Sequence, residues 1–275
     1  MTERQATAEW SFPGGPLGEL TRASAERARA SRHDLARLER AAADAGPVPS
    51  FVVALRGPMV RVIAEIKRRS PSKGVINEAI AAGERAVAYA GGGAAALSVL
   101  TEPTRFGGSL ADLSEVRAAV GLPLLRKDFI TDEVQLLEAR AHGASAVLLI
   151  ARALDPGQLS RLARAARAVG LECLVEVRDA RELERAVEVD AAAIGVNNRD
   201  LETLVIEPEI GARLVGRVPV DRIAVYESGV QGVADVERAA AAGADAVLVG
   251  SVLSVATDGA AAVRALASVR RVARG

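Results

Sequence analysis

The chain has one cysteine, two histidines, no net charge and no long apolar run, and each shortage closes off a class of protein. With Cys173 alone, no intramolecular disulfide can form, and a lone thiol fits a reducing compartment. Thirty-five Lys and Arg cancel thirty-five Asp and Glu, so no global field draws the molecule to nucleic acid or to an anionic membrane. An anionic ligand therefore has to be held locally. No uninterrupted apolar stretch approaches the roughly twenty residues of a membrane span, and the opening Met1-Thr2-Glu3-Arg4 lacks a signal-peptide core, so a cytoplasmic protein is expected. His33 falls in an N-terminal helical stretch and His142 at a helix end, positions that suit surface or capping residues rather than ligands.

What is present is 275 residues, half of them hydrophobic, enough for one large α/β domain or two small ones. After the break at Pro13-Gly14-Gly15-Pro16, residues 17–44 are rich in Ala, Arg, Leu and Glu without Gly or Pro, which predicts an amphipathic helix. Gly46-Pro47-Val48-Pro49 stops it, and Phe51-Val52-Val53-Ala54-Leu55 forms a second short apolar turn. Residues 1–56 read as a helical extension, a lid or plug on the main fold, and residues 57–275 as that fold. From Val60 onward, short apolar runs alternate with helical patterns. Strands are expected at 60–67, 94–100, 122–127, 144–150, 171–177, 191–197, 222–227 and 246–250. Helices are expected at 78–90 (the weakest), 110–120, 132–142, 158–169, 181–189, 207–218, 233–242 and 260–272.

Strands apolar on both faces and separated by helices form a parallel sheet, because the crossovers cover both sides. Eight such units in about 215 residues match a closed (β/α)8 TIM barrel. An open doubly wound sheet would call for a G-x-G-x-x-G fingerprint after the first strand, and none is there. Gly91-Gly92-Gly93, Gly143 and Gly243 follow helices instead, where glycine is a common C-terminal cap.

Strand periodicity at Val60-Arg61-Val62-Ile63-Ala64 points Glu65 and Lys67 to the same interior side, and Ser70-Pro71-Ser72-Lys73-Gly74 then turns as a polar loop. A buried acid and ammonium side by side suggest a site that handles charge, although the same pair fits a salt bridge at an exposed strand end. Barrel chemistry sits at the carboxyl ends of the strands. There the chain places Thr101, Glu102, Lys127, Asp128, Glu176, Asn197, Asn198, Arg199, Glu227, Ser228 and Ser251, with few charges at the opposite ends. Glu227-Ser228-Gly229 and Val249-Gly250-Ser251 close the seventh and eighth strands with small residues. These suit a phosphate held by backbone amides, and equally suit tight turns alone.

Several stretches, taken in order, resemble the indole-3-glycerol phosphate synthase family. They are Ile63-Ala64-Glu65-Ile66-Lys67 with Ser70-Pro71-Ser72-Lys73-Gly74, Leu97-Ser98-Val99-Leu100-Thr101, Leu125-Arg126-Lys127-Asp128-Phe129 and Leu174-Val175-Glu176-Val177. Gly195-Val196-Asn197-Asn198-Arg199-Asp200-Leu201, Glu227-Ser228-Gly229 and Leu248-Val249-Gly250-Ser251 complete the set. The resemblance implies a step of tryptophan biosynthesis in which 1-(2-carboxyphenylamino)-1-deoxyribulose 5-phosphate closes its ring, loses carbon dioxide and water, and becomes indole-3-glycerol phosphate. It implies no metal and no organic cofactor, a small phosphorylated substrate as the partner, and a monomer or weak homodimer. By position it makes Lys127 the general acid, Lys67 a stabiliser of carboxylate and oxyanion charge, Glu176 the general base and Glu65 the residue that positions substrate and lysine. Asn197 and Glu227 would contact hydroxyl groups. Ser70, Arg199, Ser228, Gly229, Gly250 and Ser251 would bind substrate and its phosphate, and Pro71, Phe106, Phe129 and Leu148 would hold the aromatic ring, although each of these four also suits ordinary core.

Attack of a ring carbon on a ketone needs a proton donor at the developing alkoxide, and a lysine with a pKa lowered by burial and neighbouring cations is expected to serve. Loss of water then needs a base, which a carboxylate can be. Tyr226 departs from the small residue the family usually has before Glu227, which bears on how Glu227 is posed. Cys173 shares parity with Val175, opposite Glu176, and is expected between sheet and helices. A phosphoribosylanthranilate isomerase would need a cysteine at a strand end, where Cys173 is not. A catalytically silent paralogue would have lost Lys127, Lys67 or Glu176, all of which are present.

Overall fold

In the computed structural model, which describes residues 10–72 and 74–274, eight parallel strands close into a barrel. They are β1 (Arg61–Ile66), β2 (Ala96–Leu100), β3 (Leu124–Lys127), β4 (Ala146–Ile150), β5 (Glu172–Val177), β6 (Ala193–Asn197), β7 (Ile223–Glu227) and β8 (Ala246–Val249). Each pairs with its sequence neighbours, and β1 closes on β8 through registers such as Ile63 with Leu248. The amino-terminal stretch read for a signal core and Lys73 of the polar loop lie outside the described residues. Around residue 73 the loop forms a two-residue ribbon, Arg69–Ser70 against Gly74–Val75.

Alternation along each strand divides the apolar residues into two clusters. Val62, Ala64, Leu97, Val147, Cys173, Val175, Val196 and Val247 face outward into the layer shared with the helices. Ile63, Leu125, Leu148, Leu174, Val225 and Leu248 point into the barrel. Cys173 thus lies where its parity puts it, and burial pushes its thiol up to about 12.

The N-terminal residues contribute to the barrel interior at both ends. Helix α1 (Gly15–Ser31) lies over the carboxyl ends of the strands, and Leu17 and Leu20 join the interior cluster. Leu17 N donates to Leu201 O (3.1 Å), Ser24 Oγ to Phe129 O (2.5 Å) and Arg27 to Asp128 Oδ1 (2.9 Å). The expected single helix over 17–44 is interrupted by a 3-10 turn at Arg32–Asp34 before α2 (Leu35–Asp44). Ser31-Arg32-His33-Asp34 buries nothing, so no packed face holds the axis straight where the chain leaves the barrel mouth for its flank. Helix α3 (Phe51–Ala54) then plugs the opposite end with Phe51 and Leu55, anchored by Ser50 Oγ and Val52 N on the two oxygens of Glu172 at the start of β5. Helix α1 therefore covers one end of the barrel and α3 the other.

The remaining helices are α4 (Ala82–Gly91), α5 (Leu110–Ala119), α6 (Glu133–Ala141), α7 (Pro156–Ala168), α8 (Ala180–Glu188), α9 (Glu209–Leu214), α10 (Val233–Ala241), α11 (Ser251–Val255) and α12 (Gly259–Leu266). Side-chain caps set several starts: Ser109 on Asp112 N, Asp155 on Gln158 N with Pro156 following, Asp179 on Glu182 N and Asp258 on Ala261 N. The helix expected at 207–218 is shorter, because Gly211 and Gly216 weaken it and a 3-10 turn takes over from Val215. The five-residue α11 had no sequence signal, since its apolar residues run on from β8. His33 sits in the exposed 3-10 turn, and His142 ends α6 beside Ser114 (2.6 Å), its pKa lowered by burial.

Candidate active site

At the carboxyl ends of the strands the barrel opens into a cavity of about 1150 Å³, counting its mouth. Because the last inward-facing positions of β1, β3, β5, β6 and β7 are Glu65, Lys127, Glu176, Asn197 and Glu227, these five side chains converge there, with Lys67 one step past β1. Lys127 Nζ lies 3.4 Å from Glu176 Oε2 and 3.3 Å from Glu227 Oε2. Asn197 Nδ2 donates to the other oxygen of Glu176 (2.9 Å), and Lys67 Nζ to Glu65 Oε1 (2.7 Å).

Two ammonium groups and three carboxylates in one buried ring set each other's protonation. Burial works against charge on Lys127, but Glu227, Glu176 and Glu65 overrule it and hold the ammonium above its ordinary range. The lowered pKa expected for this lysine is thereby corrected: the neighbours that decide it are carboxylates, not cations. Glu65 is held below its usual value despite its burial, by Lys67 and Lys127. Glu227 goes the other way. Burial, reinforced by Glu176 and Glu65 against the pull of Lys127, pushes its carboxyl up to about 8. Within one ring, Lys127 is thus held in its charged form, Glu65 is held ionised and Glu227 is pushed toward its neutral form.

Two glycines make room for this ring. A Cβ on Gly250 would overlap Glu65 Oε1 and come within 2.9 Å of Lys67 Nζ, while its backbone φ of −123° is open to any residue. Gly250 is thus required for space and not for a turn. Gly195 on β6 does the same for Glu227. The turn after β7 is conformationally special: Ser228 and Gly229 have φ of 64° and 86°, and Asn198 Nδ2 fastens it by donating to Glu227 O (2.9 Å) and Ser228 O (3.1 Å).

Gly229, Ser228, Gly250 and Ser251 line the cavity, as do Ser70 and Arg199. Pro71, Phe106, Phe129 and Leu148 also line it, and the rings of Phe106 and Phe129 sit 6.3 Å apart at 41°. Every residue given a catalytic or substrate-binding role from sequence therefore lines this one cavity, while Thr101, Glu102 and Asn198 of the strand-end set stand behind its lining.

Other polar strand-end residues build its walls. Glu102 accepts from the amides of Thr104, Arg105 and Phe106 and so shapes the loop that presents Phe106. Asp128 uses both oxygens, on Phe129 N and Arg27 and on Thr101 and Arg126. Tyr226 faces the helices, where Gly211 leaves space for its ring, so it does not crowd Glu227. Sequence reasoning missed Leu17, Leu20, Ile150, Leu201 and Leu248 as lining residues. The spacing of Leu17, Leu20, Thr21, Ser24 and Ala28 marks a buried helix face, but nothing local says that the face covers a site. Among the described residues no group of three His, Cys, Asp or Glu is arranged to hold a metal ion.

The family model described as indole-3-glycerol phosphate synthase matches residues 20–266. Indole-3-glycerol phosphate synthase 2 of Streptomyces coelicolor is 51% identical over 240 residues, covering 87% of this chain and 93% of that protein. Indole-3-glycerol phosphate synthase of a Nocardioides species is 52% identical over 241 residues, covering 88% and 93%. Among solved structures, 3-hexulose-6-phosphate synthase from Salmonella typhimurium superposes with a TM-score of 0.60 at 17% identity, over 76% of this chain and 97% of that one, a likeness of fold alone. With the match running from Leu20 within the lid helix through all eight strands and the charged ring they enclose, the chain belongs to the indole-3-glycerol phosphate synthase family.

Proposed function

We propose that the protein converts 1-(2-carboxyphenylamino)-1-deoxyribulose 5-phosphate into indole-3-glycerol phosphate, carbon dioxide and water. The observation that carries this reading is the contact of one buried ammonium, Lys127, with two carboxylates, Glu176 and Glu227, in a cavity that also holds the Ser228-Gly229 and Gly250-Ser251 turns. The turns and Ser70 take the phosphate, with Arg199 nearby, and the aromatic ring lies among Pro71, Phe106, Phe129 and Leu148.

Ring closure forms a bond between the carboxyl-bearing ring carbon and the ketone carbon, and Lys127 protonates the ketone oxygen as its charge develops. A raised pKa does not disqualify Lys127, because it keeps the group protonated at neutral pH and an alkoxide is a strong enough base to take its proton. Lys67, held by Glu65, lies where it stabilises the substrate carboxylate. That carboxylate then leaves as carbon dioxide while its bonding electrons restore the aromatic ring. Dehydration breaks the bond to the new hydroxyl, which departs as water with a proton from the recharged Lys127 beside it, and Glu176 removes the proton on the adjacent carbon. Asn197 orients Glu176, and Asn197 and Glu227 contact the substrate hydroxyls. Acid and base help of this kind is typically worth ~10²–10⁴-fold, so positioning by the lid and the phosphate turns supplies much of the remainder.

Residues 1–56 serve as the extension and residues 57–275 as the catalytic barrel. The working unit is a monomer or weak homodimer. The single buried thiol suits the cytoplasm. The test supplies the carboxyphenylamino-deoxyribulose phosphate and follows indole fluorescence. Product from the native chain and little from Lys127→Ala supports the reading. No product from the native chain removes it, and unchanged turnover in the variant removes Lys127 as the acid.

A further inference from the structure

A second chamber of about 550 Å³ lies behind Glu176, walled by Arg152, Arg178, Glu182 and Glu202. Glu176, Asn197 and Arg199 line both this chamber and the main cavity, so Glu176 stands in the partition between them. Glu182 is the other buried acid of the chamber, only 8% exposed at the first turn of α8. Its Oε2 accepts from Arg178 N (2.7 Å), an ordinary capping bond that a glutamine would satisfy equally well.

The proposed reaction creates a need that such a chamber meets. The ketone oxygen gains one proton when the ring closes and a second when it departs as water, while the substrate returns only one, from carbon. Each turnover therefore removes one proton from solvent, because the carboxylate leaves as neutral carbon dioxide. Substrate filling the main cavity, under Leu17 and Leu20 of the lid, blocks the direct approach of water to Lys127 and Glu176.

We propose that this proton enters through the side chamber, where Glu182 passes it to Glu176 and Glu176 returns it to Lys127. Resting on the synthase reading above, the inference assigns Glu182 a part in the reaction without contact to substrate. The proton moves from solvent to the Glu182 carboxylate, across the shared chamber to Glu176, and over the 3.4 Å contact to the Lys127 amine left neutral by ring closure, which gives it to the departing hydroxyl; the proton that Glu176 then takes from carbon crosses the same contact and recharges Lys127 for the next turnover. The groups around Glu182 are Asp179 and Arg185 on α8, Arg178 and Glu176 from β5 and its loop, and Arg152 after β4, with Arg199, Asp200 and Glu202 on the opposite wall. Burial, Asp179 and Glu176 together outweigh the Arg178 amide and Arg152 and push Glu182 up to about 7, which lets it both take and give a proton near neutrality.

The test is Glu182→Gln, assayed at saturating substrate with and without imidazole, a small acid able to enter the chamber. The expected result is a fall in kcat of roughly tenfold, less than the ~10²–10⁴ of a group acting directly on substrate, with KM unchanged. Imidazole restores turnover, and Glu182→Asp, which keeps an acid, needs no rescue. A native kcat in Glu182→Gln, or a fall that imidazole does not lift, overturns the relay. If Glu182→Gln does not fold, Glu182→Ala replaces it: a fall in kcat that imidazole lifts supports the relay, and native turnover or a fall that imidazole leaves unchanged overturns it. No product from the native chain removes the synthase reading and the relay with it, whereas native product alongside a fully active Glu182→Gln removes the relay alone.

Discussion

Gly195 on β6 leaves empty the volume that the Glu227 carboxylate, reaching across from β7, occupies: a Cβ at 195 would overlap Glu227 Oε1 and lie 3.0 Å from its Cδ. An alanine there must push Glu227 away from Lys127. Gly195→Ala is expected to fold as a barrel with a stability loss of about 1–3 kcal/mol from overpacking, and to lose at least tenfold in kcat/KM. Urea denaturation and steady-state turnover check the two parts. Native kcat/KM in this variant would mean that the pose of Glu227 is not limiting.

The raised pKa of Glu227 makes its contribution to stability pH-dependent, with a definite sign. From an ordinary value of 4.5 it is pushed up to about 8, so between those limits the unfolded chain has ionised this group and the folded one has not. Stability from this group is complete below about 4.5 and is lost as pH rises through about 8. Glu227→Gln, which stays neutral, is expected to be more stable than the native chain above pH 8 by a margin that shrinks as pH falls, even as activity drops. Denaturant midpoints of both proteins across that range measure it; a constant difference would contradict the assignment.

Arg27 joins the lid helix to Asp128, next in sequence to Lys127. Asp128 keeps Arg126, Thr101 and Phe129 N when Arg27 is removed, so it is not stranded as a buried charge. Arg27→Ala is therefore expected to cost only about 1–2 kcal/mol of stability while raising KM, because the lid loses a tether. Thermal unfolding and substrate titration distinguish this from a loss of 3–5 kcal/mol, the size expected if the pair were the sole compensation.

Glu202 closes the lid from the other side. One oxygen accepts from Gly14 N (3.0 Å) and the other from Arg152 Nε (2.7 Å), whose guanidinium also reaches Ser11 O (2.7 Å). Glu202→Ala is expected to raise KM several-fold at nearly unchanged kcat, and the effect of added salt on KM is expected to be weaker than in the native chain, since part of the clasp is a half-exposed ion pair. A change confined to kcat would show that the clasp acts on chemistry and not on substrate retention.

Strand number, strand order and the inward direction of Glu65, Lys127, Glu176 and Glu227 were legible because a period of two fixes facing residue by residue. Some strand starts were read two residues early, as at 94–100 against Ala96–Leu100 and 191–197 against Ala193–Asn197, because the alanines leading into these strands are as apolar as the strands themselves. What stayed hidden depends on distance across the barrel. That Gly250 accommodates Glu65, that carboxylates surround Lys127, and that Tyr226 is received by Gly211 all need the neighbouring strand or helix in place, and no local pattern carries them. The break at Arg32–Asp34 is similar: its residues are good helix company, and only the shape beneath them bends the chain.

The plug at α3 and the lid at α1 are made from the first part of the chain but fastened to groups far later in it: Ser50 waits for Glu172, and Leu17 for Leu201. During synthesis the opening segment therefore leaves the ribosome long before its berths exist, and both rims of the cylinder stay open until the middle strands have assembled. Order of birth and order of docking run opposite ways here. Pulse-labelled amide exchange during refolding should find Val52 protected after β5, and protection of Val52 first would refute that sequence of events.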